Sequence, residues 1–142
     1  MLDTTPSKYV AIEGDRKSRA RLNYNKIIKP AYERGIKVHG FAMTKTSVLN
    51  TFPFYSVDST SWLQGEMFGN IPFYQNGKII RIKYGQKKEF IKKTKELNTN
   101  MLFKNGKKIR RKYILELGIN AYKQYEQYYT KLWKKRNINW DI

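Results

Sequence analysis

The sequence predicts an α/β fold: a small parallel sheet, then a β-hairpin, then a basic helical tail. Three observations predict it. Apolar β-like runs at 9–14 (YVAIEG), 36–43 (IKVHGFAM) and 54–58 (FYSVD) are separated by connections too long for hairpins, so the order is β-α-β-α-β with parallel strands and right-handed crossovers. Asn76-Gly77 then sits between two apolar runs within 71–84, the strongest short-range hairpin signal. From Lys112 to Lys135, apolar residues recur at steps of three and four.

In chain order, the run 9–14 closes on glycine, and DRKSR after it is a polar turn. Between Arg19 and Arg34, Ala20, Tyr24, Ile27, Ile28 and Ala31 have helical spacing, with Gly35 as the stop; Pro30 inside this span predicts a kink or break near Lys29. Thr44 to Phe52 is a minimal helix with Thr44 or Thr46 as N-cap candidate. Gln86 to Leu97 is a lysine-rich helix candidate. The residues 103–112 form a turn carrying six positive charges. In the last helix Ile114, Leu117, Ala121, Tyr125, Tyr128 and Leu132 make the apolar stripe. No repeat or proline-rich linker marks a boundary.

Composition bounds the function. With 142 residues and 40% hydrophobic content, the chain has enough for one ordinary domain and too little for a two-domain enzyme. Its 29 lysines and arginines stand against 11 acids, a net charge of +18, which favours polyanions, nucleic acid before an anionic membrane surface. Cysteine is absent and His39 is the single histidine, so thiolate zinc sites are excluded and no metal or cofactor is expected. No run reaches the about 18 apolar residues of a membrane span, and 1–10 lacks a signal-peptide core. The expectation is a cytoplasmic protein with no membrane partner.

Asp58 is the sharpest candidate for chemistry. It ends a strand, where α/β enzymes place catalytic groups, and a carboxylate there can be nucleophile, acid/base or metal ligand. The alternative is a turn or helix cap, since Asp-Ser-Thr-Ser hydrogen-bonds its own backbone readily. His39 lies in the preceding strand, where a lone histidine is commonly a satisfied core residue. Gly14 and Gly40 mark places where backbone can approach a ligand. Glu13 and Asp15 flank Gly14 and serve either as base contacts or as caps. Trp62, Phe68 and Phe73 stack on bases or fill a core. Lys104, Lys107, Lys108, Arg110, Arg111 and Lys112 form a basic patch suited to phosphates.

The segment VHGFAM, a short helix and then FYSVDSTSW resembles the last part of the (β/α)8 barrel of tRNA-guanine transglycosylases, and more closely the related 7-deazaguanine DNA transglycosylase-like proteins of bacteriophages. The resemblance covers about residues 8–85, and SVDSTSW is its specific motif. It implies that Asp58 is the nucleophile that attacks the sugar C1′ and displaces guanine, the covalent intermediate being resolved by an incoming 7-deazaguanine. It further implies base contacts from Gly14, which matches the second glycine of a V-A-x-G-G strand where Glu13 replaces the first, with His39, Gly40 and Ser59 beside them. The closing segment YKQYEQYYTKLWKKRNINW looks like the tail of the phage proteins. Two departures stand out: the cysteine-rich zinc site is missing, and the general-base aspartate near the start of the barrel has no counterpart.

The resemblance thus implies a partial barrel, its last three βα units, in residues 1–85, with a basic, mainly helical tail in 86–142 packed on it. Three strands alone leave a parallel edge and sheet faces open, so a second protein chain is expected to supply the rest. The expected substrate is nucleic acid, DNA before RNA, in the cytoplasm of a bacterial host. The competing expectation is a non-catalytic nucleic-acid-binding or phage assembly protein on a barrel-derived scaffold.

Overall fold

The computed structural model describes residues 8–13, 23–83, 92 and 111–140. The chain divides into two compact units, 1–59 with 129–142, and 60–128. The boundary expected at residue 85, the helix expected at 86–97 apart from Lys92, and the basic turn up to Arg110 lie outside the described residues.

The first unit holds a three-stranded parallel sheet, β1 (Tyr9–Glu13), β2 (Lys37–Phe41) and β3 (Ser56–Val57), in that spatial order. Register pairs Tyr9 with Lys37, Ala11 with His39, and His39 with Ser56. The parallel, sequential arrangement expected from the connection lengths is therefore observed, although β3 is two residues long. Helix α1 (Tyr24–Glu33) joins β1 to β2, and α2 (Thr46–Thr51) joins β2 to β3.

Two local expectations need correction. Helix α1 continues through Pro30 to Glu33, so the break expected near Lys29 is not present; Pro30 has no N–H for the Lys26 carbonyl, and the helix ends three residues later. The N-cap of α2 is Lys45, with no side-chain cap bond, in place of either threonine. The short helix is held instead by the end of the tail: Tyr129 Oη donates to the Thr46 carbonyl at 3.4 Å, Trp133 Nε1 to Leu49 at 3.0 Å, and Arg136 Nη1 to Asn50. These carbonyls include groups a helix C-terminus leaves unpaired.

Alternation along the strands gives the sheet two unlike faces. Val38 and Gly40 of β2 point to the helical side, where Ile28, Met43, Leu49 and Phe54 are buried with Val38. A Cβ on Gly40 would stand 2.8 Å from Met43 Cβ and 3.0 Å from Phe54 Cε1, so only glycine lets α2's approach segment close on the strand. Tyr9, Ala11, Glu13, Lys37, His39, Phe41 and Ser56 point the other way. That face is open to solvent, with Tyr9 59% and Phe41 46% exposed. At the edge strand, Val10 of the helical side is also exposed.

The second unit contains a 3-10 turn (Thr60–Leu63), α3 (Gln64–Phe68), the hairpin β4 (Asn70–Gln75) and β5 (Lys78–Lys83), and α4 (Arg111–Lys135) as far as Tyr128. Asn76 and Gly77 take φ of 47° and 75°, the paired positive values of the tight turn the dipeptide predicts. Ile71, Phe73, Ile82 and Ile114 form its core with Leu117 against them. Phe73 is thus a core residue, whereas Phe68 is 66% exposed. The 3-10 turn and α3 carried no signal in the sequence, being a single turn and five residues long.

Candidate active site

Asp58 leaves the sheet one residue after β3, at the carboxyl ends of the strands. The 40–43 segment grips its backbone: Asp58 N–H donates to the Gly40 carbonyl at 3.1 Å, and Met43 N–H donates to the Asp58 carbonyl at 3.1 Å. One carboxylate oxygen, Oδ1, accepts the Ala42 N–H at 2.8 Å. Ala42 has φ of 53°, a left-handed conformation unusual for alanine, so this hydrogen bond helps hold a turn the residue itself disfavours.

The second oxygen, Oδ2, lies 3.9 Å from His39 Nε2, beyond hydrogen-bond range and within reach of an ion pair when the imidazole is protonated. His39 Nδ1 and Ser56 Oγ are 2.8 Å apart. If the hydroxyl donates, Nε2 carries the ring proton and points it toward Asp58; with the opposite tautomer Nε2 is an acceptor. The Phe41 ring meets His39 edge-on, with centroids 4.7 Å apart. The imidazole is therefore fixed from two sides on the open face of the sheet. The Asp58 side chain is 56% exposed and that of His39 30%, so a ligand approaching that face reaches both.

Asp58 and His39 are thus brought together, as a carboxylate with one oxygen anchored and one presented. Gly40 is separated from them, since it faces the helices; its carbonyl serves by receiving the Asp58 N–H. Ser59 follows, half-buried and bonded to other groups. Gly14, Lys104, Lys107, Lys108 and Arg110 lie outside the described residues, and Arg111 and Lys112 begin α4 with side chains that are not described. Two participants escaped the sequence reading. Ser56 was legible in principle, because two residues before Asp58 on an extended strand is the same face; Ala42 carried no signal at all. No group of three or more histidine or acidic side chains able to hold a metal ion occurs among the described residues.

No helix among the described residues is long and apolar enough to cross a membrane. No protein-family model, curated protein or solved structure matches the chain.

Proposed function

We propose that this chain is a partial (β/α) barrel, the nucleophile-bearing C-terminal portion of a transglycosylase that exchanges a base in nucleic acid, guanine for a 7-deazaguanine, in DNA before RNA. The observation that supports it is the Asp58 carboxylate: at the carboxyl end of a parallel sheet, held by the Ala42 N–H through Oδ1, with Oδ2 free to face a substrate beside His39. In the reaction, Oδ2 bonds to the sugar C1′ as the C1′–N9 bond breaks, and guanine leaves with the bonding pair and takes up a proton. N9 of the incoming base then attacks C1′ and expels the carboxylate, regenerating Asp58. Reacting atoms must come within about 3 to 3.5 Å for such a step, which needs walls around the substrate.

Those walls are the remaining strands, supplied by a second chain. A parallel sheet is ordinarily covered on both faces, and here the face of His39, Phe41 and Ser56 is exposed. The second chain also brings the acid/base group that handles the proton of the leaving and entering bases. The +18 charge draws the polyanionic substrate to the assembled site.

One observation favours a second function, a non-catalytic nucleic-acid-binding protein: Oδ1 of Asp58 already has a structural task at Ala42. Incorporation of a labelled 7-deazaguanine base into guanine-containing DNA separates the two. The chain alone gives none; the chain combined with the product of the adjacent reading frame gives exchange, which Asp58→Asn abolishes with little loss of DNA affinity. Full exchange by the Asp58→Asn complex assigns Asp58 to the turn alone.

A further inference from the structure

At the end of the sheet opposite Asp58, the first residues of the parallel strands bring aromatic rings and cations together. Tyr9 opens β1, Lys37 opens β2 and Tyr55 precedes β3. The rings of Tyr9 and Tyr55 meet edge-on across the middle strand, with centroids 6.0 Å apart. The Lys37 ammonium lies 4.8 Å from the Tyr55 centroid and 5.6 Å from that of Tyr9. Trp140 stands edge-on to Tyr55 at 5.9 Å and to Tyr32 at 4.9 Å, which braces Tyr55 from the helical side.

These rings do not fill a core: Tyr9 is 59% and Tyr55 42% exposed. Exposed Lys8, whose carbonyl receives the Lys37 N–H, and exposed Arg34, beyond the end of α1, add positive charge at the same end, with Glu33 the acid among the described residues beside them. The combination is what an unpaired polynucleotide strand requires: faces on which bases stack, preset by neighbouring rings, and cations beside them. A duplex buries its base faces and can use only the cations.

We propose that Tyr9, Tyr55 and Lys37 form a stacking platform for single-stranded nucleic acid, separate from the Asp58 site. The occupant follows from charge: at +18, a second copy of the chain would meet like charge on this surface, whereas a polyanion is attracted. The platform extends the nucleic-acid part of the proposed function and is independent of base exchange; because Tyr9 and Lys37 share the sheet face that a second chain would cover, it belongs to the chain before assembly. Across the four-residue rise from Lys37 to Phe41, it lies about 13 Å from the carboxyl end. A strand held there continues toward or away from the Asp58 end.

The test is titration of the full chain with a fluorescent 12-nucleotide single strand and with the duplex of the same sequence, at two salt concentrations. Replacing Tyr9 and Tyr55 together by leucine should weaken single-strand binding about tenfold and duplex binding less than twofold, consistent with loss of base stacking. The Tyr9→Phe, Tyr55→Phe double variant keeps the rings and should bind as the unaltered chain does. Photocrosslinking of the unaltered chain to a 5-iodouracil strand should label Tyr9 or Tyr55 and needs no variant to fold. Equal losses on single strand and duplex, crosslinks confined to other residues, or binding to phosphatidylserine vesicles that outcompetes the strand would overturn the platform. These readouts are binding and crosslinking by the chain alone, whereas base exchange is read on the assembled complex, so failure of base exchange and failure of the platform are distinguishable.

Discussion

The Asp58 carboxylate receives the backbone N–H of Ala42 at 2.8 Å, and Ala42 is one of three non-glycine residues with positive φ among the described residues. The acid therefore serves a turn with one oxygen and faces outward with the other. Asparagine at this position keeps a carbonyl oxygen for the Ala42 N–H while losing the nucleophile; alanine loses both. In urea denaturation, Asp58→Asn should leave the midpoint nearly unchanged, and Asp58→Ala should cost about 1 kcal/mol, a modest value because the site is more than half exposed. Equal destabilisation by both would mean that the charge itself supports the fold.

Trp133 donates its indole N–H to the Leu49 carbonyl at 3.0 Å, and Arg136 stacks its guanidinium 4.7 Å from the Trp133 ring while bonding to Asn50. Trp133→Phe retains an aromatic ring and removes the donor, leaving a partly buried carbonyl less well satisfied. The expected loss is about 1 to 2 kcal/mol by chemical denaturation. Hydrogen exchange should show the α2 amides less protected, with those of the β4–β5 hairpin unaffected.

Gly118 lies inside α4, where alanine is ordinarily better by about 1 kcal/mol. A Cβ there would stand 2.7 Å from the Trp62 carbonyl oxygen. Contact with a backbone atom leaves little room for adjustment, so Gly118→Ala should destabilise by about 1 to 3 kcal/mol despite the gain in helix propensity. A raised melting temperature would show that the 3-10 turn yields at no cost.

The parallel sheet was legible because connection length and apolar runs are local properties: 9–14, 36–43 and 54–58 each announce a strand, and only a crossover fits between them. The hairpin was legible for the same reason, in Asn76-Gly77. Asp58 stood out by its place at a strand end, and its approach to His39 followed from adjacent strands in register. What the sequence withheld were the long-range contacts. The Ala42 N–H that Asp58 holds, the tail residues that bond to α2 from more than 80 positions away, and the glycine demanded by Trp62 depend on where distant backbone atoms come to rest. The break expected at Pro30 is absent because α1 continues to Glu33 with one ladder bond missing, and whether the remaining bonds and the burial of Ile28 carry a helix past a proline is not a local property of the sequence.

Binding to nucleic acid should fall steeply with salt, since each neutralised phosphate releases condensed counterions. Replacing Lys107, Lys108, Arg110 and Arg111 together by alanine should weaken binding to a similar degree across sequences and flatten the plot of log K against log salt. Filter binding between 50 and 200 mM salt, roughly the range over which such contacts lose most of their strength, measures it. An unchanged slope would return the patch to ordinary solvated surface.

The most direct test of Asp58 as nucleophile is mass spectrometry of the assembled complex, incubated with guanine-containing DNA in the absence of an incoming base, denatured and digested. The expected result is a nucleotide joined through its sugar to the peptide that contains Asp58, absent from the Asp58→Asn complex and discharged on addition of a 7-deazaguanine. An adduct on another residue, or base exchange undiminished in Asp58→Asn, would contradict it.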